Sequence, residues 1–148
     1  QLTPLMDKYK IDVLSRCVDL MQTLNSAHFK SAFDFANFVQ CGEDTAKCWD
    51  ALRPYIVYIH IKDAVSTDKE NVLCGTGEGK IPELLHKAIV EEGYTGFLTL
   101  EPHLVLFDSL QSLETTDAKN IIRENKYKNG AEGYAAQYHA LCDILAKF

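Results

Sequence analysis

Three residues of metal-binding type stand at matching places in this chain. Asp34 closes the apolar stretch FKSAFD, His60 closes IVYIH, and Glu101 follows GFLTL. Two carboxylate oxygens and one imidazole nitrogen suit Mn²⁺, Mg²⁺, Co²⁺ or Zn²⁺, with water or substrate oxygens in the open positions. Each residue alone has an ordinary alternative. Asp34 could cap a turn, His60 could be a hydrogen-bonded core histidine, and Glu101, before Pro102, could be a solvated strand-end carboxylate. Three such residues at three successive strand ends are a much rarer coincidence.

Further candidates lie close by. His103 reads as a substrate-contacting group or a surface histidine. Lys62 and Asp63 pair with each other, orient His60, or are plain strand-end charges. Asn37 either hydrogen-bonds a substrate hydroxyl or ends its strand. The run Gly75-Thr76-Gly77-Glu78-Gly79 superficially suggests a phosphate cradle. It lacks the following Gly-Lys-Ser/Thr of a Walker motif, so a flexible lid or turn over the site is the better expectation.

The elements that must position these groups are legible from periodicity. Asp12 can cap a helix to about Leu24, with Val13, Leu14, Cys17, Val18, Met21 and Leu24 on one face. A strand over Phe29–Asp34 leads into a loop. Asp44 can cap a helix to Leu52 that Pro54 ends. Ile56–Ile61 is almost continuously apolar, as in a strand buried on both faces. Residues Ala64–Gly79 form a long loop without periodicity. Ile81, Leu84, Leu85, Ala88 and Ile89 stripe a helix with Pro82 in its first turn and Gly93 as its stop. Phe97–Leu100 is a third strand. Leu104–Lys128 is partly helical by propensity, and Asn129-Gly130 marks a turn. A last helix over Gly133–Lys147 places Tyr134, Tyr138, Leu141 and Leu145 on one side. Strands alternating with amphipathic helices predict α/β architecture with parallel (β/α) units. In (β/α) barrels, functional groups sit at the carboxyl ends of the strands.

The totals exclude several classes. The 148 residues suffice for one domain, and 47% apolar with 24% charged residues is the composition of a globular protein. No apolar run approaches the roughly 20 residues of a membrane helix, and the N-terminal QLTPLMDKYK has no signal-peptide pattern. A formal charge of −6 without a basic cluster disfavours nucleic acid. Five cysteines, odd in number and without CxxC spacing, argue against a disulfide framework or zinc knuckle and fit a reducing cytoplasm.

Taken together, FDFANFVQ, YIVYIHIKDA, GTGEGKIPELL and GFLTLEPHL resemble the C-terminal half of the xylose-isomerase-like TIM barrels, most of all the sugar phosphate isomerase/epimerase group. The resemblance spans roughly Asp7 to His103. It implies that Asp34, His60 and Glu101 hold one divalent metal and that Glu101 doubles as an acid/base. It implies a sugar substrate contacted by Asn37, Lys62 and His103, and a fourth ligand, a glutamate from a strand preceding Gln1. On that footing residues 1–148 are one domain, the last part of a (β/α)8 barrel, and these residues alone are expected to be inactive and to self-associate through open strand edges. A non-catalytic sugar-binding or regulatory barrel and a polyol dehydratase are the alternatives. One nuclease branch of these barrels carries a histidine three residues after the aspartate, for additional metals. Here that place is Asn37, which speaks against a three-zinc nuclease.

Overall fold

The computed structural model of the chain describes residues 12–105 and 126–148. Helix α1 (Val13–Leu24) is followed by β1 (Ser31–Asp34), α2 (Phe35–Gln40) and α3 (Thr45–Leu52). Next come β2 (Ile56–Ile61), β3 (Asp63–Ala64), β4 (Asn71–Val72), α4 (Ile81–His86), β5 (Phe97–Leu100) and α5 (Gly130–Leu145). A π-helical turn over Lys87–Glu91 extends α4. Strands β1, β2 and β5 form a parallel sheet in that order, while β3 and β4 make a small antiparallel ribbon. The fold is mixed α/β, and its parallel strands with covering helices correspond to part of a TIM barrel, as the alternating pattern predicts.

Local chemistry sets the element boundaries. Asp12 accepts the Leu14 N–H at 3.0 Å to start α1. Asp44 accepts those of Ala46 and Lys47 to start α3. Leu52 ends α3, and Arg53-Pro54-Tyr55 makes a single 3-10 turn before β2. Gly93, with φ +66°, closes the extended α4, a left-handed conformation that favours glycine.

One face of the sheet is dry. Phe33 of β1 and Ile59 and Ile61 of β2 are fully buried against the helices. Phe33 meets the rings of Phe35, Phe38 and Trp49 at centroid distances of 5.0 to 5.2 Å. Truncating an aromatic in such a cluster to alanine removes roughly 3–5 kcal/mol. The opposite face carries Tyr58, His60 and Thr99, all half-buried.

Several expectations are corrected. Residues 29 and 30 precede β1, and Asp34 runs directly into helix α2 with no intervening loop, because its carboxylate caps that helix. Tyr58 and His60 are only half-buried, so β2 is dry on one face only, and Val57 at the start of that dry face is itself 52% exposed. The stretch after Ala64 contains β4 and is therefore not structureless. Leu24 is exposed although the rest of its stripe packs inward. In α5 the buried side is Gly133, Gln137, Leu141 and Ile144, one residue out of phase with the expected stripe, and Tyr134 and Tyr138 are exposed. Gly133 lets the helix approach Leu104 and Val105, and Gln137 points inward to satisfy buried backbone groups. Most of the Leu104–Lys128 stretch, residues 106–125, lies outside the described residues, as does the N-terminal segment 1–11.

Candidate functional site

Strand register brings the three metal-type residues together. Asp34 pairs with His60 across β1 and β2, and His60 pairs with Thr99 across β2 and β5. Glu101 follows Thr99 by two residues, which returns its side chain to the same face. The pairing continues past the strand ends. The Glu101 N–H donates to Ile61 O at 3.2 Å, and the Ala36 N–H donates to Lys62 O at 3.1 Å. The backbones carrying Asp34, His60, Lys62 and Glu101 are thus tied to one another.

One ligand atom from each of Asp34, His60 and Glu101 lies within 4.8 Å of the other two. His60 Nδ1 stands 3.6 Å from Asp34 Oδ2 and 3.5 Å from Glu101 Oε2, too far for a hydrogen bond to either. The two Asp34 oxygens have separate tasks. Oδ1 accepts the Asn37 N–H at 2.9 Å and starts α2. Oδ2 is buried and has no hydrogen-bond partner among the described residues, although the Lys62 ammonium lies 3.1 Å away outside hydrogen-bond alignment. A buried carboxylate oxygen left without a hydrogen bond is costly and uncommon. Facing an imidazole nitrogen and a second carboxylate, it fits a divalent cation of the hard or borderline kind.

Lys62 is only 7% exposed. Its ammonium donates to Glu101 Oε2 at 3.0 Å. His103 Nε2 lies 3.5 Å from the other oxygen, Oε1, and His103 itself is exposed with a left-handed φ of +43°. Partial burial pushes the Glu101 carboxyl upward. The Lys62 hydrogen bond and the charges of Lys62, His103 and His60 outweigh it and hold the carboxyl below its usual range. The structure therefore gathers Asp34, His60, Lys62, Glu101 and His103. Asn37 sits beside them in the first turn of α2 with its side chain exposed, so it does not end the strand.

Lys62 and Asp63 do not pair with each other. Asp63 is fully buried and faces the loop after β4. Its Oδ2 accepts the N–H groups of Gly75 and Gly77, and its Oδ1 those of Ala64 and Gly79, at 2.9 to 3.0 Å. Burial pushes the Asp63 carboxyl above its ordinary range, and these N–H donors pull part of that back. The glycine run is thus a turn tied down around an internal carboxylate, the turn and not the flexible lid of the two forms expected. Three glycines at alternate positions were the available signal, since N–H groups two residues apart can point the same way. Gln137 was also missed. Its Nε2 donates to Ile61 O at 3.0 Å and its Oε1 accepts the Cys74 N–H at 3.1 Å, which links α5 to the strand that carries His60.

No family model and no curated protein matches the chain. Among solved structures, the chain is similar to the crystal structure of a xylose isomerase domain protein from Planctomyces limnophilus, with a TM-score of 0.62 and 19% sequence identity. The match covers 92% of this chain and 44% of that one, so the chain spans less than half the length of its structural neighbour. At that identity the likeness is one of fold.

Proposed function

We propose that the protein belongs to a metal-dependent isomerase or epimerase of sugars or sugar phosphates that works by proton transfer through an enediolate. The observation that carries this reading is the convergence of Asp34, His60 and Glu101 within 4.8 Å at the carboxyl ends of neighbouring parallel strands. The fold likeness to a xylose isomerase domain protein supports it at the level of architecture.

A divalent ion held by Asp34, His60 and Glu101 would act as a Lewis acid on the substrate carbonyl and acidify the adjoining C–H. Glu101 is the proposed base. Its carboxyl is kept ionised by Lys62, and its side chain stays 37% exposed and reachable. A carboxylate held below its usual range is a weak base, so the C–H must be strongly acidified before Glu101 can take its proton. Return of the proton to the other face of the same carbon gives an epimer, and return to the next carbon gives the isomer. Lys62 and His103 flank Glu101 and are placed to contact substrate oxygens. Asn37 offers its exposed carboxamide to a sugar hydroxyl.

The test is solvent exchange. The full-length protein with Mn²⁺, Mg²⁺, Co²⁺ or Zn²⁺ is incubated in D₂O with a panel of ketoses and ketose phosphates. Metal-dependent deuterium incorporation beside the carbonyl, abolished by His60→Ala, is the expected result. Folded, metal-loaded protein that incorporates none across the panel would overturn the reading. A product lighter by one water would identify dehydration instead.

A further inference from the structure

Lys62 is a buried lysine whose ammonium, among the described residues, has carboxylate partners. Its ammonium faces Asp34 Oδ2 at 3.1 Å and Glu101 Oε2 at 3.0 Å. These are the same two oxygens that His60 Nδ1 faces at 3.6 and 3.5 Å. Two carboxylates brought this close repel each other, more strongly as water is withdrawn from them. The ammonium between them offsets that repulsion in the metal-free protein. The next charged residue in the chain, Asp63, takes no part, because both its oxygens are engaged by backbone N–H groups.

We infer that Lys62 is a positioning residue for the metal site: a tethered cation that holds Asp34 and Glu101 converged when no metal is bound, and that competes with a divalent ion for those two oxygens. The inference rests on the metal-site reading above and adds a sign to it. A lysine that merely supported the site would raise metal affinity or leave it alone. A competing cation lowers it, because two positive groups on the same pair of oxygens repel. Metal entry then requires Lys62 to give up at least one carboxylate. The released ammonium becomes a cationic donor beside Glu101, within reach of an anionic substrate oxygen.

Affinity for Mn²⁺ and Zn²⁺, measured by dye competition on the full-length protein, decides the matter together with metal-free melting temperature. Lys62→Met and Lys62→Gln are expected to bind metal about tenfold or more tighter than wild type. Both are expected to melt lower without metal and to gain more from adding it. Lys62→Arg keeps the charge and is expected to bind close to wild type. Lys62→Gln supplies the same comparison where the Met variant does not fold. Neutral variants that bind equally or more weakly, while His60→Ala abolishes wild-type binding, would overturn the inference and leave the site standing. Equal binding by wild type and His60→Ala would overturn both.

Discussion

Gly77 and Asp63 are locked in mutual contact. The Gly77 N–H donates to Asp63 Oδ2 at 2.9 Å, and a Cβ on Gly77 would lie 2.5 Å from Asp63 Oδ1 and 2.5 Å from Ala64 O. One obstacle is backbone, so alanine cannot be accommodated by turning a side chain. Gly77→Ala should destabilise the protein by about 1–3 kcal/mol, the usual cost of overpacking. Asp63→Asn should cost more, roughly 2–6 kcal/mol, because its amide would face two N–H donors that lose their acceptor. Urea midpoints report both, and hydrogen exchange at residues 75–79 should rise in each variant.

Gln137 is a fully buried side chain that bridges two backbone groups. Gln137→Leu preserves approximate volume but orphans Ile61 O in part and the Cys74 N–H entirely. A loss of about 2–4 kcal/mol is expected, each unsatisfied group contributing about 1–3. Ile61 O also accepts from the Glu101 N–H, so the variant should retain its metal affinity while melting earlier.

Metal should stabilise the folded protein through the three converging donors. At free metal near 100 times Kd, the gain in unfolding free energy is about 2.7 kcal/mol. His60→Ala should erase that gain. Its affinity should fall by more than the roughly 10- to 100-fold typical of altering a group that only orients a ligand. Chelation of wild type should return its melting temperature to the metal-free value.

The depressed Glu101 carboxyl has a definite pH signature. Its folded pKa lies below the ordinary 4.5. The folded state therefore releases this proton more readily than the unfolded chain does. Its contribution to stability is present above pH 4.5 and is lost as pH falls through the lower folded value. In chelator, the melting difference between wild type and Glu101→Gln should be level above that range and shrink below it. A difference that stays constant to about pH 3 would contradict the Lys62–Glu101 interaction as its source.

Burial, aided by nearby carboxylates, raises the Cys48 and Cys74 thiols to about 12. At pH 8 each is thiolate to roughly one part in 10,000, whereas Cys142 is exposed. Iodoacetamide labelling of native protein, read by peptide mass, should modify Cys142 and spare Cys48 and Cys74 until denaturant is added.

Much of this is legible in the sequence itself. Asp34, His60 and Glu101 close apolar runs, and strand periodicity alone places them at corresponding ends. Asp12 and Asp44 announced their helices because a capping carboxylate acts within three residues of itself. What stayed hidden depends on contacts distant in the chain. Lys62 reads as a strand-end charge until Glu101, 39 residues later, is folded against it. Gln137 looks like a surface residue until its two buried partners, 63 and 76 residues away, are in place. The phase of α5 failed for the same reason. Tyrosines outrank glycine and glutamine in apolarity, but packing distance and hydrogen bonding decided which side turned inward.

The stretch His60-Ile61-Lys62-Asp63 alternates its duties residue by residue. His60 and Lys62 serve the donor cluster, while Ile61 packs against the helices and Asp63 anchors the glycine loop. Such a stretch tolerates substitution far better than a change of length. Inserting or deleting one residue here would turn an isoleucine into the donor cluster and a histidine into the dry core at a single stroke. The turn over residues 66–69, whose side chains are largely exposed, bears no such constraint. Natural variation in chain length is therefore expected at that turn and not within residues 60–63.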